Sequence, residues 1–156
     1  MALGPFRNPL TRVTVLAMLG ACGSPAPRPL AYGTETCSHC HMTLADRRFG
    51  AELVLATGRV VPFDDTGCLI TFLATDSVTT APIHSIHVVD FLAPHALLDA
   101  FTALFLVSDS IQTPMDYHIA ALSRGSADSV QAAMGGTLVT WDQARTLIRS
   151  RPRAER

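Results

Sequence analysis

Lysine is absent from this chain of 156 residues: its twelve basic residues are all arginine, and thirteen acidic residues leave a formal net charge of −1. With only 16% of residues charged, there is no basic stripe of the kind that binds nucleic acid, and no such partner is expected. No stretch beyond the N-terminus approaches the roughly 18 to 20 continuous apolar residues of a membrane span, which excludes a multi-span membrane protein. A Gly-rich phosphate loop, a zincin helix and a nucleophile-base-orienter set are also missing, so an enzyme of the familiar classes has nothing to stand on. Cysteine is scarce, with four in the chain. The length suits one domain with a real core.

The N-terminus is an address. Residues 1–12 carry Arg7 and Arg12 and no acid, and residues 13–21 (VTVLAMLGA) form a short apolar run that ends in small residues, as a secretory signal does. Leu19-Gly20-Ala21-Cys22 resembles a bacterial lipobox, in which cleavage exposes the cysteine and its sulfur is acylated. Residues 1–21 are therefore read as a lipoprotein signal peptide and Cys22 as the lipidation site. Residues 22–33, rich in Pro and Gly, are read as a tether holding the domain off a membrane. The mature chain has ten basic and thirteen acidic residues, a net charge of −3, and the domain is expected over 34–150 with a short tail at 151–156. Three thiols remain once Cys22 is acylated, and an odd number cannot form a complete disulfide framework within the chain.

In residues 49–56 (FGAELVLA), Phe49, Ala51, Leu53 and Leu55 fall on one face of a strand, and Gly58 followed by residues 59–63 suggests its hairpin partner. Asp65 is placed to cap a helix in which Cys68, Leu69, Phe72 and Leu73 recur at helical spacing. Residues 84–91 and 103–108 have strand character. Met115 then precedes a strand over 118–123, a helix over 127–134, a strand ending in Trp141-Asp142, and a last helix, DQARTLIRS. Gly58 to Asp64 and Gly136 to Asp142 share one spacing and end aromatic-Asp or Trp-Asp ahead of an amphipathic helix, which aligns Met42–Asp64 with Met115–Asp142. The expected architecture is α+β, with duplicated ββαβ units over about 36–92 and 103–150.

The chemistry is concentrated in Thr36-Cys37-Ser38-His39-Cys40-His41-Met42. A soft-metal site is one reading: thiolate and thioether sulfur suit Cu(I), which needs few ligands. Cys40 and Met42, two apart, share a face if the segment is extended, and Met115, behind Pro114, is the matching thioether of the second unit. Covalent haem is another, because Cys37-Ser38-His39-Cys40-His41 satisfies C-x-x-C-H, although c-type cytochromes are mostly helical. Structural zinc needs a second ligand pair, and His84 and His87 fall on opposite faces of a strand. A thiol oxidoreductase would have the C-x-x-C open a helix, which it does not do here. Cys68 is read as a small buried side chain that is also able to join the metal site. Of Asp64 and Asp65, at least the second is read as structural.

The runs CSHCHMTLADRRFGAELV and GRVVPFDDTGCL, the later TPM, and the TWD ahead of the last helix resemble the NosL family of copper-binding lipoproteins. The resemblance spans roughly residues 36–148. It implies two related ββαβ units and a periplasmic accessory factor of nitrous oxide reductase assembly that holds and delivers Cu(I), anchored to a membrane, with the outer membrane preferred because Gly23 follows the lipidated cysteine. It puts the copper thiolate at Cys40 and the thioether at Met42, with Cys37 as the first cysteine of the motif. A histidine ligand is also implied, for which His39, His41 and His118 are all available. His41 departs from the family pattern, which has Gly at that position, and it adds an imidazole beside the metal motif.

Overall fold

The computed structural model describes residue 1 and residues 24–75 and 81–151. The signal run, the lipobox and Cys22 lie outside the described residues, as does the tail beyond residue 151. Among the described residues no helix is long and apolar enough to cross a membrane.

The first strand, β1 (Ala51–Leu55), is buried at all five positions, because it lies between two partners and is covered on both faces. Its hairpin partner β2 (Val60–Phe63) alternates instead, sending Val61 and Phe63 inward. The helix α1 (Thr66–Ala74) starts where the Asp65 carboxylate accepts the Cys68 N–H at 2.7 Å, the cap expected from the sequence. Next come β3 (Ile83–Asp90), β4 (Ala93–Asp99), β5 (Leu104–Val107), β6 (Ile119–Leu122), α2 (Ala127–Met134), β7 (Thr137–Val139) and α3 (Trp141–Ser150). Trp141 is thus the first residue of α3 rather than the end of a strand. Its ring packs on Phe105, 5.6 Å between centroids, and Gln143 reaches back to the Thr140 N–H at 2.8 Å, so the chain turns into the helix one residue early.

The seven strands form one sheet in the order β2-β1-β3-β6-β5-β7, with β4 pairing on β3 beside that path. All pairings are antiparallel except β3 with β6, where Asp90 faces Ala121. One face carries the main core, in which Leu53, Phe63, Val88, Phe105 and Ile119 of the sheet pack against Cys68 and Leu69 of α1 and Trp141, Ala144 and Ile148 of α3. The other face carries a smaller cluster under α2, with Leu106, Ala120, Leu122 and Val130. Phe49, expected in line with Ala51 and Leu53, belongs to this second cluster and meets Phe91 at 5.6 Å.

The order strand, strand, helix, strand occurs twice, as β1-β2-α1-β3 and β5-β6-α2-β7, each with its first strand in the middle. The helices, however, cover opposite faces. The alignment of Met42–Asp64 with Met115–Asp142 also fails in space: β1 and β2 are hydrogen-bonded neighbours, whereas β6 and β7 are separated by β5. The shared aromatic-Asp spacing arises from two local turns and not from matched hairpins.

The segment read as a tether is partly docked. Leu30 is only 7% exposed and joins the main core, the Arg28 N–H reaches a Glu52 carboxylate oxygen at 3.2 Å, and the Arg28 guanidinium pairs with Glu35. The folded part of the chain thus begins near Arg28, ahead of Thr34.

Candidate metal centre

The cysteine-rich segment is a closed loop. Thr36 and Thr43 face each other in an antiparallel bridge, the Cys37 N–H donates to the Met42 carbonyl at 2.8 Å, and the His41 N–H donates to the Cys37 carbonyl at 3.1 Å. The Ser38 N–H donates to the Pro62 carbonyl at 2.9 Å, fastening the loop to β2. Past the loop, the Ala45 N–H reaches the Asp64 carboxylate at 2.9 Å. Closing so short a loop forces His41 to φ +62, in the left-handed region. A side chain there costs roughly 1 to 2 kcal/mol relative to a right-handed conformation, which is why Gly is the easy choice at such a position. The segment is therefore not extended, and Cys40 and Met42 do not share a face as expected: Cys40 packs against the core while Met42 is 53% exposed.

The turn brings Cys37 and Cys40 to the N-terminal end of α1. There the sulfurs of Cys37, Cys40 and Cys68 all lie within 4.8 Å of one another. Cys37 and Cys68 are fully buried, Cys40 is half-buried, and none is in a disulfide. Cys68 is thus buried as expected, but as a member of the thiol cluster and not as filler of an apolar stripe. Its sequence signal was present in the odd thiol count and in the capped first turn, yet nothing local linked it to a motif about thirty positions upstream.

The three sulfurs differ electrostatically. The Cys68 thiol donates to the Cys37 sulfur and draws its pKa down, against the opposing effect of burial and with help from the backbone N–H groups of Cys40, Asp64 and His39. Cys68, as that donor and as a buried group, is pushed far up. Burial raises Cys40, and the charge on Cys37 adds to the effect. The cluster is therefore uneven, with Cys37 the sulfur best placed to carry charge because N–H and S–H donors converge on it, and a soft cation entering the cluster would displace the protons of the thiols it binds.

Two carboxylates fix this arrangement without facing a substrate. Asp64 binds the backbone after the loop, and Asp65 binds Cys68 with one oxygen and the Met115 N–H with the other, at 3.2 Å. Met115 is thereby brought beside the start of α1, where its side chain is partly buried against the main core. The Tyr117 side chain fills the space beside Gly67: an added Cβ at Gly67 would sit 2.0 Å from the Tyr117 ring. The Tyr117 hydroxyl is 2.9 Å from that of Thr71, so the 113–117 turn is pressed onto α1 next to Cys68.

The histidines separate. His39 is half-buried, and its backbone N–H is aimed at the Cys37 sulfur. His41 is exposed at the loop tip. His118 is directed elsewhere, its Nδ1 2.7 Å from the carbonyl of Ile111, a residue of the second cluster. Among the described residues the three cysteines are the one group of His, Cys, Asp and Glu side chains placed to share a metal, so no second pair completes a zinc knuckle. Covalent haem requires both sulfurs of the motif to reach a large macrocycle, and Cys37 is fully buried with its sulfur engaged by Cys68. Nor does the motif open a helix, as a dithiol redox motif would; the helix start belongs to Cys68.

What remains is a compact set of soft donors at the edge of an α+β domain, with one exposed thioether beside it. This matches a known group of proteins. The chain resembles the crystal structure of the copper chaperone NosL from Shewanella denitrificans with a TM-score of 0.58 and 26% identity, over 75% of this chain and 96% of that one. Among curated proteins, none matches the chain. The NosL family profile matches residues 31–146, from the docked segment through most of α3. Its sequence motifs, its fold and this profile agree, and the chain belongs to the NosL family.

Proposed function

We propose that this protein is a copper chaperone that holds Cu(I) at the Cys37, Cys40 and Cys68 cluster and delivers it in the periplasm for assembly of the copper centres of nitrous oxide reductase. The observation that carries the reading is the convergence of three sulfurs, from two separate segments, within 4.8 Å. Thiolate donors match the preference of Cu(I) for soft ligands at low coordination number. Cys40 and Met42 supply the thiolate and thioether of the family motif, Cys37 lies beside Cys40 with hydrogen-bond donors converging on its sulfur, and Met115, tied to the helix start by Asp65, is a further soft donor. No step requires a catalytic group. Copper is cargo, taken up and released by exchange of one ligand at a time through the half-exposed Cys40. Acylation of Cys22 keeps the protein at a membrane, with the outer membrane preferred.

The test is an anaerobic Cu(I) titration of the reduced mature protein against a chromogenic chelator of known affinity. Near-stoichiometric retention is expected. Cys40→Ser and Cys68→Ser should each weaken retention by more than the roughly 10- to 100-fold typical of losing an outer partner of a metal ligand. Failure of the folded, reduced protein to compete with the chelator would overturn the reading.

A further inference from the structure

We propose that the imidazole of His41 is the exchange ligand of this centre, the donor that meets copper on the solvent side of the thiol cluster and passes it to or from Cys40. The proposal rests on the copper reading above and assigns one residue a separate part in it.

Among the described residues, four that are not glycine have left-handed backbones: His41, His95, Asp116 and His118. For the two other histidines the ring has a protein partner. His118 Nδ1 is bonded to the Ile111 carbonyl, and His95 stands edge-on to Tyr32 with Arg47 at 3.4 Å. Among the described residues, nothing bonds or stacks on the His41 ring; its one hydrogen bond is made by its backbone, to the Cys37 carbonyl. A strained backbone is retained at a position where Gly would relieve it, and the side chain has no structural task there. Strain of that kind is concentrated at functional sites.

The location indicates what the task is. Of the three thiols, Cys37 and Cys68 are closed off from solvent and only Cys40 reaches it, so an incoming or departing ion passes Cys40. His41 is the next residue and is exposed. Its ring lies outside the group of side chains placed to share one metal, which makes it a transient donor and not a resident one. Neutral imidazole binds Cu(I) and carries no charge to hold it. In the uptake step a Cu–N bond to His41 forms as a bond to the carrier breaks. That Cu–N bond then yields to a Cu–S bond at Cys40, whose proton leaves to solvent. Copper remains Cu(I) throughout, and release is the reverse.

The experiment compares wild type, His41→Asn and His41→Gly as mature proteins, measuring both equilibrium retention against the chelator and the rate at which copper passes to it. Asn tolerates the left-handed backbone but lacks the ring, and Gly removes both ring and strain. Both variants are expected to retain copper within about threefold of wild type while transferring it about tenfold more slowly or worse. The His41 ring resonances should shift during transfer from substoichiometric Cu(I), and apo His41→Gly should unfold at higher denaturant than wild type. Transfer at the wild-type rate in both variants would overturn the proposal, as would a loss of retention comparable to that of Cys40→Ser, which would make His41 a resident ligand. If wild type itself retains no copper, the copper reading falls and takes this assignment with it; normal wild-type retention with unaltered variant rates removes the assignment alone.

Discussion

Asp65 holds Met115 from fifty positions away: one carboxylate oxygen accepts the Met115 N–H at 3.2 Å while the other caps α1 at the Cys68 N–H, 2.7 Å away. A single buried side chain therefore sets the distance between the helix that carries one thiol and the turn that carries a thioether. Asp65→Ala leaves both N–H groups without their acceptor and should cost on the order of 2 to 3 kcal/mol of stability, read as a lower midpoint of urea denaturation. Copper retention should fall with it. Asp65→Asn keeps one acceptor oxygen and should lie between the two.

The contact of Gly67 with Tyr117 yields a paired prediction. Gly67→Ala drives a methyl into the Tyr117 ring and should destabilise the fold by about 1 to 3 kcal/mol through overpacking. Adding Tyr117→Ala to it should recover part of that loss, although Tyr117→Ala alone is itself destabilising. Denaturation of the two single variants and the double variant forms the cycle that checks this. Strictly additive losses would mean that the ring is free to move away from α1.

Docking of residues 28–33 predicts where truncation becomes harmful. Leu30→Ala should cost about 2 to 5 kcal/mol, the range for a buried leucine. A chain started at Thr34 should be less stable than one started at Gly23, because it also loses the Arg28 contacts with Glu35 and Glu52. Equal thermal midpoints for the two truncations would show that the segment is a passive leash.

Glu52 predicts a pH dependence. It is fully buried on β1, one oxygen accepts from the Arg28 N–H while the other has no partner among the described residues, and burial pushes its pKa from 4.5 up to about 7. The folded state thus holds this proton more tightly than the unfolded chain. Its stabilising contribution is complete below about pH 4.5 and is lost as pH rises through about 7. Glu52→Gln, which does not ionise, should become more stable relative to wild type across that window, by on the order of 2 to 3 kcal/mol. Parallel curves for the two proteins from pH 4.5 to 7.5 would contradict it.

The sequence was most legible where structure is local. The Asp65 cap, the β1–β2 hairpin and the span of α2 follow from nearest-neighbour chemistry, and they stand where expected. β4 was not legible: Pro94 and His95 interrupt its pattern and most of its residues are exposed, because it pairs with β3 alone on the outside of the sheet. The metal motif was visible as a density of sulfur and nitrogen, but its membership was not. Cys68 joins through tertiary packing, and the turn at His41 sends Cys40 inward and Met42 outward, contrary to what a two-residue spacing suggests for an extended strand.

Pro62, on the outermost strand of the sheet, limits how another protein can approach this centre. β2 has β1 on one side, proline supplies no N–H to a newcomer, and the Pro62 carbonyl is already taken by Ser38 of the thiol loop. A visiting chain is thereby denied strand addition alongside the sulfurs. What this end of the molecule leaves open is the tip of the loop, where the side chains of His41 and Met42 are exposed, and not a backbone ladder that any extended peptide could lengthen.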